Sequence, residues 1–216
     1  AINNVIFVAL GAGLAGARLA YAGQYQSAYL ANPIGLLALT PATLSPGAGF
    51  VIGLAAAVWY GRRHHLLLRP TLDALAPGLA TFLIAVGVAH LFSGDAFGAS
   101  AKLPWSIYLW NDYRHPSQVY EIIAALAILI LTWRRSTGRP DDGSRFLLVI
   151  ALSSCARVFL EAFRGDSVIW LGGFRAAQIV GLVVLAASLW LLKDWAQASS
   201  PAPANTQEIL MAEVRR

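Results

Sequence analysis

Six apolar segments, each close to the length needed to cross a bilayer, make up most of this 216-residue chain. A helix needs about 20 apolar residues to span the hydrocarbon core. Because backbone polar groups in lipid must be satisfied internally, only helices and closed barrels cross it. The sequence therefore predicts an all-α integral membrane bundle of about six transmembrane helices. The predicted spans are residues 3–23, 48–61, 71–93, 116–133, 146–164 and 174–192.

The composition agrees with a membrane protein. The chain is 57% hydrophobic and only 12% charged, which is far from the balance of a soluble domain. Its net charge of +5 comes largely from arginines in short loops, and we interpret this as a topology signal rather than a nucleic-acid-binding surface. The single cysteine excludes an intrachain disulfide, and the histidines lack metal-ligand spacing. We expect neither a metal site nor a nucleic-acid partner.

The charges in the loops predict an orientation. Arginines are concentrated in two loops, 62–70 and 134–145, whereas residues 24–46 carry no charge. Because basic loops remain cytoplasmic, we expect these two loops and both ends of the chain on the cytoplasmic side. We divide the chain into a transmembrane helical domain, 1–195, and a flexible cytoplasmic tail, 196–216, rich in proline, alanine and serine.

Ionisable and polar side chains lie inside or at the ends of the apolar segments, where a charge costs roughly 3 kcal/mol even on insertion scales. In the predicted orientation they all lie toward the outer leaflet. Arg157, Glu161 and Arg164 have the i, i+4, i+7 spacing of one helix face. The others are Arg18, Tyr21, His90, Asp95, Gln118, Glu121 and Gln178. We expect them to form a polar cavity that opens to the outer leaflet.

Each of these residues also has a simpler structural explanation. Arg157 and Glu161 can neutralise each other, Arg18 can extend to the outer headgroups, and Glu121 can hydrogen-bond a neighbouring helix. Asp73 is expected to be a first-turn charge favoured by the helix dipole. An arginine beside a carboxylate suits chemistry on a phospholipid, and it suits a structural polar plug nearly as well.

Short motifs give the chain a resemblance to a known family. The segment HPSQVYE (115–121), at an outer helix start, resembles a signature of the bacterial prolipoprotein diacylglyceryl transferases. HPSQVYE is specific, whereas the other motifs are individually weak, and together they cover residues 14–180. These other motifs, in the same order as in the family, are GARLAY (16–21), Asn32-Pro33, DALAP (73–77), RVFLEAFR (157–164) and Gln178.

The resemblance implies an activity and a set of site residues. Members of this family transfer a diacylglyceryl group from phosphatidylglycerol to the lipobox cysteine thiol of a prolipoprotein, forming a thioether and releasing glycerol phosphate. It therefore implies a bacterial inner-membrane enzyme with these two substrates and no cofactor. The residues implied to hold the lipid phosphate are Arg18, Arg157 and Arg164. Glu161 is implied to position Arg157. The residues implied to complete the headgroup site are Tyr21, Gln118, Tyr120, Glu121 and Gln178.

The chain departs from the family pattern at three places. The family stretch Gly-Arg-x-x-Asn-Phe-x-Asn-x-Glu-x-x-Gly is GVAHLFSGDAFG (87–98) here, so His90 replaces the first asparagine and Asp95 the glutamate. A valine or a glycine, depending on the alignment, replaces the arginine. The family's Ser-Phe-His-Gly-Gly is SPGAG (45–49), without the histidine. The family also has seven spans beginning outside, whereas six beginning inside are predicted here, so we expect a first helix to be missing.

Two interpretations follow from this mixture of matches and departures. In the first, His90 supplies the base that the missing histidine provided, with nearby Asp95 tuning its basicity. The catalytic set is then His90, Asp95, Glu121, Arg157 and Glu161. In the second, the chain is a catalytically lapsed relative that serves as a structural subunit of a larger membrane complex, with partner transmembrane subunits on its apolar surfaces. A transporter is a weaker third interpretation, because the sequence has no repeat symmetry.

Overall fold

The computed structural model describes residues 2–37, 40–134 and 142–198. The tail from 199 onward and most of the loop 134–145 lie outside these residues. The described α-helices are α1 (Ile2–Gln24), α2 (Gln26–Ala31), α3 (Pro46–Arg63), α4 (Leu68–Ser93), α5 (Ser117–Arg134), α6 (Ser144–Leu160) and α7 (Ala176–Ala198). The described strands are β1 (Ile107–Leu109), β2 (Asp112–Arg114), β3 (Ile169–Trp170) and β4 (Phe174–Arg175).

Each predicted span coincides with one long helix. Four helical segments, Ile2–Gln24, Leu68–Ser93, Ser144–Phe163 and Ala176–Gln197, are long and apolar enough to cross a membrane, and Ser117–Trp133 is a shorter apolar helix. Many large apolar side chains on these helices are exposed, which is the expected arrangement of surfaces that face lipid. The prediction of an all-α membrane protein is confirmed, with small hairpins in its loops. The helices belong to two compact units, Ala1–Thr71 and Leu72–Arg216.

In the first unit, α1 packs against α3 through small residues. A Cβ added at Gly53 would lie 2.8 Å from the carbonyl oxygen of Ala9, and one added at Gly49 would lie 2.8 Å from that of Gly13. Any side chain at these positions would force the helices apart. Close backbone approach through small residues is a common way for membrane helices to associate. The two helices therefore form a tightly packed pair.

In the second unit, α4, α5 and α6 share a core, and Asp73 on α4 hydrogen-bonds to the amino end of α6. The core contains Ala76, Ala80, Ile128 and Val149. The Asp73 carboxylate, 7% exposed, accepts hydrogen bonds from the backbone N–H groups of Gly143 (2.8 Å) and Phe146 (3.0 Å).

Asp73 therefore caps the amino end of α6. The prediction that it is a first-turn charge of its own helix is wrong, because α4 begins five residues earlier, at Leu68.

Residues 94–115, between α4 and α5, contain a short antiparallel hairpin. Strands β1 and β2 pair Tyr108 with Tyr113, and the connecting turn has positive φ at Trp110 (52°) and Asn111 (59°). Two positive φ values are typical of a tight hairpin turn. The hydroxyl of Ser100 donates to Asp112, and this hydrogen bond lowers the pKa of the Asp112 carboxyl.

Candidate active site

The amino end of α5 is fastened to residues 94–99 by two buried side chains. The Ser117 hydroxyl donates to the carbonyl oxygen of Ala96 at 2.5 Å, and Gln118 Nε2 donates to that of Asp95 at 2.9 Å. Gln118 is fully buried. The polar residues of the HPSQVYE motif therefore hold a loop against the start of the helix.

The same loop pairs with the turn that follows α6. The N–H of Ala99 donates to the carbonyl oxygen of Phe163 at 2.8 Å, and the N–H of Gly165 donates to that of Phe97 at 2.9 Å. Gly98 lies between these bonds, and a Cβ there would be 2.1 Å from the carbonyl oxygen of His115. The loop thus joins the amino end of α5 to the carboxyl end of α6 through its backbone.

Glu121, in the second turn of α5, is the centre of an ion cluster. Its Oε1 accepts from Arg157 Nη1 at 3.1 Å and from Arg164 Nη1 at 2.8 Å. Its Oε2 lies 3.3 Å from His90 Nδ1 on α4. One carboxylate therefore meets two guanidinium groups and an imidazole. The exposed fraction is 17% for Glu121, 40% for Arg157 and 33% for His90.

Two further carboxylates bind the arginines. Glu161 Oε2, almost fully buried, lies 3.2 Å from Arg157 Nη2 and 3.9 Å from Arg164 Nε. Asp166 accepts two hydrogen bonds from Arg164, at 2.9 and 2.6 Å. Burial by itself would lower the pKa of Arg164, but the hydrogen bonds and charges of Asp166 and Glu121 outweigh burial and raise it. Arg164 is therefore a fixed positive charge.

The helix-face prediction is wrong for Arg164. Helix α6 ends at Leu160, Glu161–Phe163 form a single 3-10 turn, and Arg164 is extended, with φ −81° and ψ 142°. Arg164 still reaches Glu121 because its backbone pairs with Gly98 in an antiparallel bridge. Arg157 and Glu161 have the predicted one-turn relationship.

Arg175 and Asp166 also belong to this region, but the sequence analysis did not predict them as site residues. Arg175 Nη1 donates to the carbonyl oxygens of Glu161 and Arg164, the latter at 3.1 Å, and to Ser167 Oγ at 3.2 Å. It therefore fastens the turn that carries two members of the cluster. The available signal was position alone: Asp166 lies between the predicted spans 146–164 and 174–192, and Arg175 is the second residue of the latter span.

Asp95 does not have the predicted relationship with His90. Its carboxylate accepts from the Ser93 hydroxyl at 2.8 Å, and the carboxylate hydrogen-bonded to His90 is that of Glu121. The short turn at Gly94, where φ is +75°, directs residue 95 back onto its own helix end. Sequence proximity to His90 was therefore a poor guide to the partner.

Tyr120 and Gln178 lie beside the cluster. The Tyr120 hydroxyl accepts from Trp105 Nε1 at 2.9 Å. Gln178 Nε2 donates to the carbonyl oxygen of Val158 at 3.3 Å and so joins α7 to α6.

Arg18 and Tyr21 belong to the first unit. Arg18 is 8% exposed, and its guanidinium donates to the Thr43 hydroxyl and to backbone carbonyl oxygens. These carbonyls are those of Gly35, Leu36 (3.1 Å) and Thr43 (2.9 Å). The Tyr21 ring packs on that of Tyr25, with centroids 4.6 Å apart. Arg18 thus ties Gly35, Leu36 and Thr43 to α1.

A cavity of about 390 Å³ adjoins the ion cluster, and we name it the charged-end cavity. His90, Glu121 and Arg157 line the end of it that adjoins the ion cluster. Deeper along the helices its walls are mostly aliphatic. Among these wall residues are Leu83, Val86, Ile128, Val180 and Val184.

A second opening, of about 680 Å³, lies along α5 and α6, and we name it the aromatic groove. Its lining includes Trp105, His115, Tyr120, Ile123, Ala127, Phe159 and Phe163. Among the described residues, no three His, Cys, Asp or Glu side chains are grouped as metal ligands would be.

The chain is similar in sequence to known proteins along most of its length. Residues 1–193 match the family model for prolipoprotein diacylglyceryl transferase. Curated relatives named phosphatidylglycerol–prolipoprotein diacylglyceryl transferase include one from Methylobacillus flagellatus, 30% identical over 88% of this chain and 76% of the relative. Those from Synechococcus elongatus and Clostridioides difficile are each 26% identical over 84% of this chain, and over 68% and 73% of their own lengths. This chain belongs to the prolipoprotein diacylglyceryl transferase family.

Proposed function

We propose that this protein transfers a diacylglyceryl group from phosphatidylglycerol to the cysteine thiol of a prolipoprotein, at the outer leaflet of a bacterial inner membrane. The family and the names of the relatives support this activity. The observation that carries the proposal is the position of Glu121, which binds two arginines and His90 at the wall of an aliphatic cavity. A phospholipid has the matching chemistry, because it joins an anionic phosphate to acyl chains.

Arg157 is the proposed phosphate-binding residue. It lines the charged-end cavity and is 40% exposed, whereas Arg164 is 11% exposed and is held by Asp166 through two hydrogen bonds. A guanidinium binds phosphate oxygens through paired, charge-assisted hydrogen bonds. Glu161 orients Arg157, and Arg164 acts through Glu121.

Arg18 receives a different role from the one that the resemblance implied. The guanidinium of Arg18 donates to the backbone carbonyls of Gly35, Leu36 and Thr43, so we assign it to holding these residues rather than to binding phosphate.

The proposed reaction exchanges one bond at a glycerol carbon. The thiol sulfur attacks the carbon that bears the phosphate ester oxygen, a C–S bond forms, and the C–O bond breaks with its electron pair leaving on glycerol phosphate. His90 accepts the thiol proton. Because Nδ1 of His90 is hydrogen-bonded to Glu121, the thiol proton is accepted by the other ring nitrogen, Nε2. The preplaced charge of Arg157 stabilises the negative charge that develops on the leaving group.

The charged-end cavity accounts for the rest of the lipid. Its aliphatic walls on α4, α5 and α7 provide an apolar environment for acyl chains, which remain attached to the same glycerol as the phosphate. Because the acyl chains already lie in hydrocarbon before binding, their transfer adds little hydrophobic free energy, and packing against these walls positions the lipid. The phosphate contact then fixes which bond meets the thiol.

The proposed orientation places the ion cluster toward the outer leaflet and both ends of the chain in the cytoplasm. The arginine-rich loops, 62–70 and 134–145, support it. The ion cluster lies at the opposite ends of α4, α5 and α6 from these loops. The alternative of a structural subunit is not favoured, because the matching relatives carry the name of the transferase.

Complementation tests the proposed function. A bacterium depleted of its own transferase is given this protein, the Arg157→Ala variant, or Arg63→Ala as an arginine control outside the cluster. We expect growth and lipoprotein maturation with the parent and the control, and neither with Arg157→Ala. A parent that is present and folded in the membrane but does not restore maturation would contradict the proposal.

A further inference from the structure

The aromatic groove lies beside the charged-end cavity, against the same two helices. Ala124, Ala156 and Leu160 line both openings. Tyr120 lines the groove, whereas Glu121, the next residue of α5, lines the cavity. The ion cluster is therefore next to the outer end of the groove.

The groove is open sideways and extends into the apolar part of the structure. Ile123 and Phe159, on its two sides, are 58% and 65% exposed. From Tyr120 to Ala127 it follows α5 for about 10 Å. Its floor consists partly of Ala124, Ala127 and Ala156, and transmembrane helices dock closely on small residues. An apolar segment embedded in the bilayer can therefore enter it without leaving the lipid.

The outer end of the groove carries hydrogen-bonding groups. Trp105 Nε1 donates to the Tyr120 hydroxyl at 2.9 Å, and the same hydroxyl is 3.4 Å from His115 Nδ1. Aromatic side chains with a polar atom at one end bind a partner that is apolar along its length and polar at its exit. A peptide segment has this character where its backbone leaves an apolar helix.

Resting on the proposed transferase function, we infer that the aromatic groove binds the apolar segment of the prolipoprotein signal peptide and presents the following cysteine to His90 and Glu121. The phospholipid is assigned to the other opening. Glu121 and Arg157 line the charged-end cavity and are not among the residues that line the groove. The acyl chains and the phosphate belong to one lipid molecule, so both are assigned to the charged-end cavity.

Filling the groove tests this assignment. Ala127→Trp places a large ring on its floor, and Ala187→Trp, at an exposed alanine of α7 that lines neither opening, is the matched control. Transfer is measured between phosphatidylglycerol in detergent micelles and a synthetic peptide with an apolar segment followed by cysteine. We expect Ala127→Trp to raise KM for the peptide about tenfold and to leave KM for the lipid within about twofold. The control should change neither constant.

A binding measurement separates this inference from the proposed function. The same peptide with a photoreactive group in its apolar segment should crosslink to Ile123 or Phe159 in the parent and lose this crosslink in Ala127→Trp. Crosslinking at these positions without any transfer would support the groove and contradict the transferase function. Transfer with crosslinks elsewhere, or with a raised KM for phosphatidylglycerol alone, would overturn the groove assignment and leave the function standing.

Discussion

Glu121 and Arg164 are joined by a 2.8 Å hydrogen bond across two elements, helix α5 and the extended segment after α6. Backbone and side-chain bonds to residues 94–99 hold both elements. The separation of the two residues is therefore set by this loop as well as by helix packing. The loop acts as the frame of the ion cluster.

Gly98→Ala should disrupt this frame. A Cβ at Gly98 would lie 2.1 Å from the backbone oxygen of His115, so the loop must move away from α5. We expect the free energy of unfolding to fall by about 2 kcal/mol and the transfer rate to fall about tenfold or more. Thermal denaturation in detergent and the transfer assay measure the two effects.

Gly78→Ala is the control for this substitution, because a Cβ there meets nothing within 4 Å. If Gly98→Ala behaves like this control, the loop does not frame the cluster.

Asp73→Asn tests the link between α4 and the start of α6. An amide oxygen replaces only one of the two carboxylate acceptors and carries no charge to match the helix dipole. We expect the variant to unfold more easily by about 1–2 kcal/mol. The more accessible Asp142, which accepts one backbone bond from Ser144, provides the comparison through Asp142→Asn. Equal stability of the Asp73 variant and the parent would contradict the capping role.

The helices were predictable from the sequence because a bilayer imposes one length and one polarity on every span. The ion cluster was predictable in part, since Glu121, Arg157 and Glu161 are charges near the ends of predicted spans. The partner of His90 was not predictable, because the turn at Gly94 decides where Asp95 points. Nor was the cap at Asp73, whose partners are about 70 residues away in sequence.

Arg175 should act on the reaction through the turn that it fastens. Arg175→Met removes hydrogen bonds to Glu161, Arg164 and Ser167, so the cluster loses its fixed geometry. We expect kcat to fall about tenfold and Arg175→Lys to recover part of that loss. Lys193→Met, at an exposed cation on α7, is the control and should keep the parent's kcat. A lysine variant as inactive as the methionine variant, with an equally lowered melting temperature, would indicate a purely structural role.

His90→Ala should remove the proposed base. We expect kcat to fall about a hundredfold or more while the protein stays folded, because the partly exposed imidazole lines the wall of a cavity rather than the core. His64→Ala, at a histidine whose ring packs on Tyr60 in the first unit, serves as the control. Full activity of His90→Ala would exclude His90 as the base.

The most direct test of the account is a reconstituted transfer reaction followed by mass spectrometry. The purified protein is incubated with phosphatidylglycerol and a peptide that carries the acceptor cysteine, and the peptide mass and released glycerol phosphate are measured for the parent, Glu121→Gln and Arg157→Ala. The account predicts one diacylglyceryl thioether and one glycerol phosphate per turnover with the parent, and losses of about a hundredfold with each folded variant. Full activity in both variants, or a folded parent that forms no thioether, would contradict it.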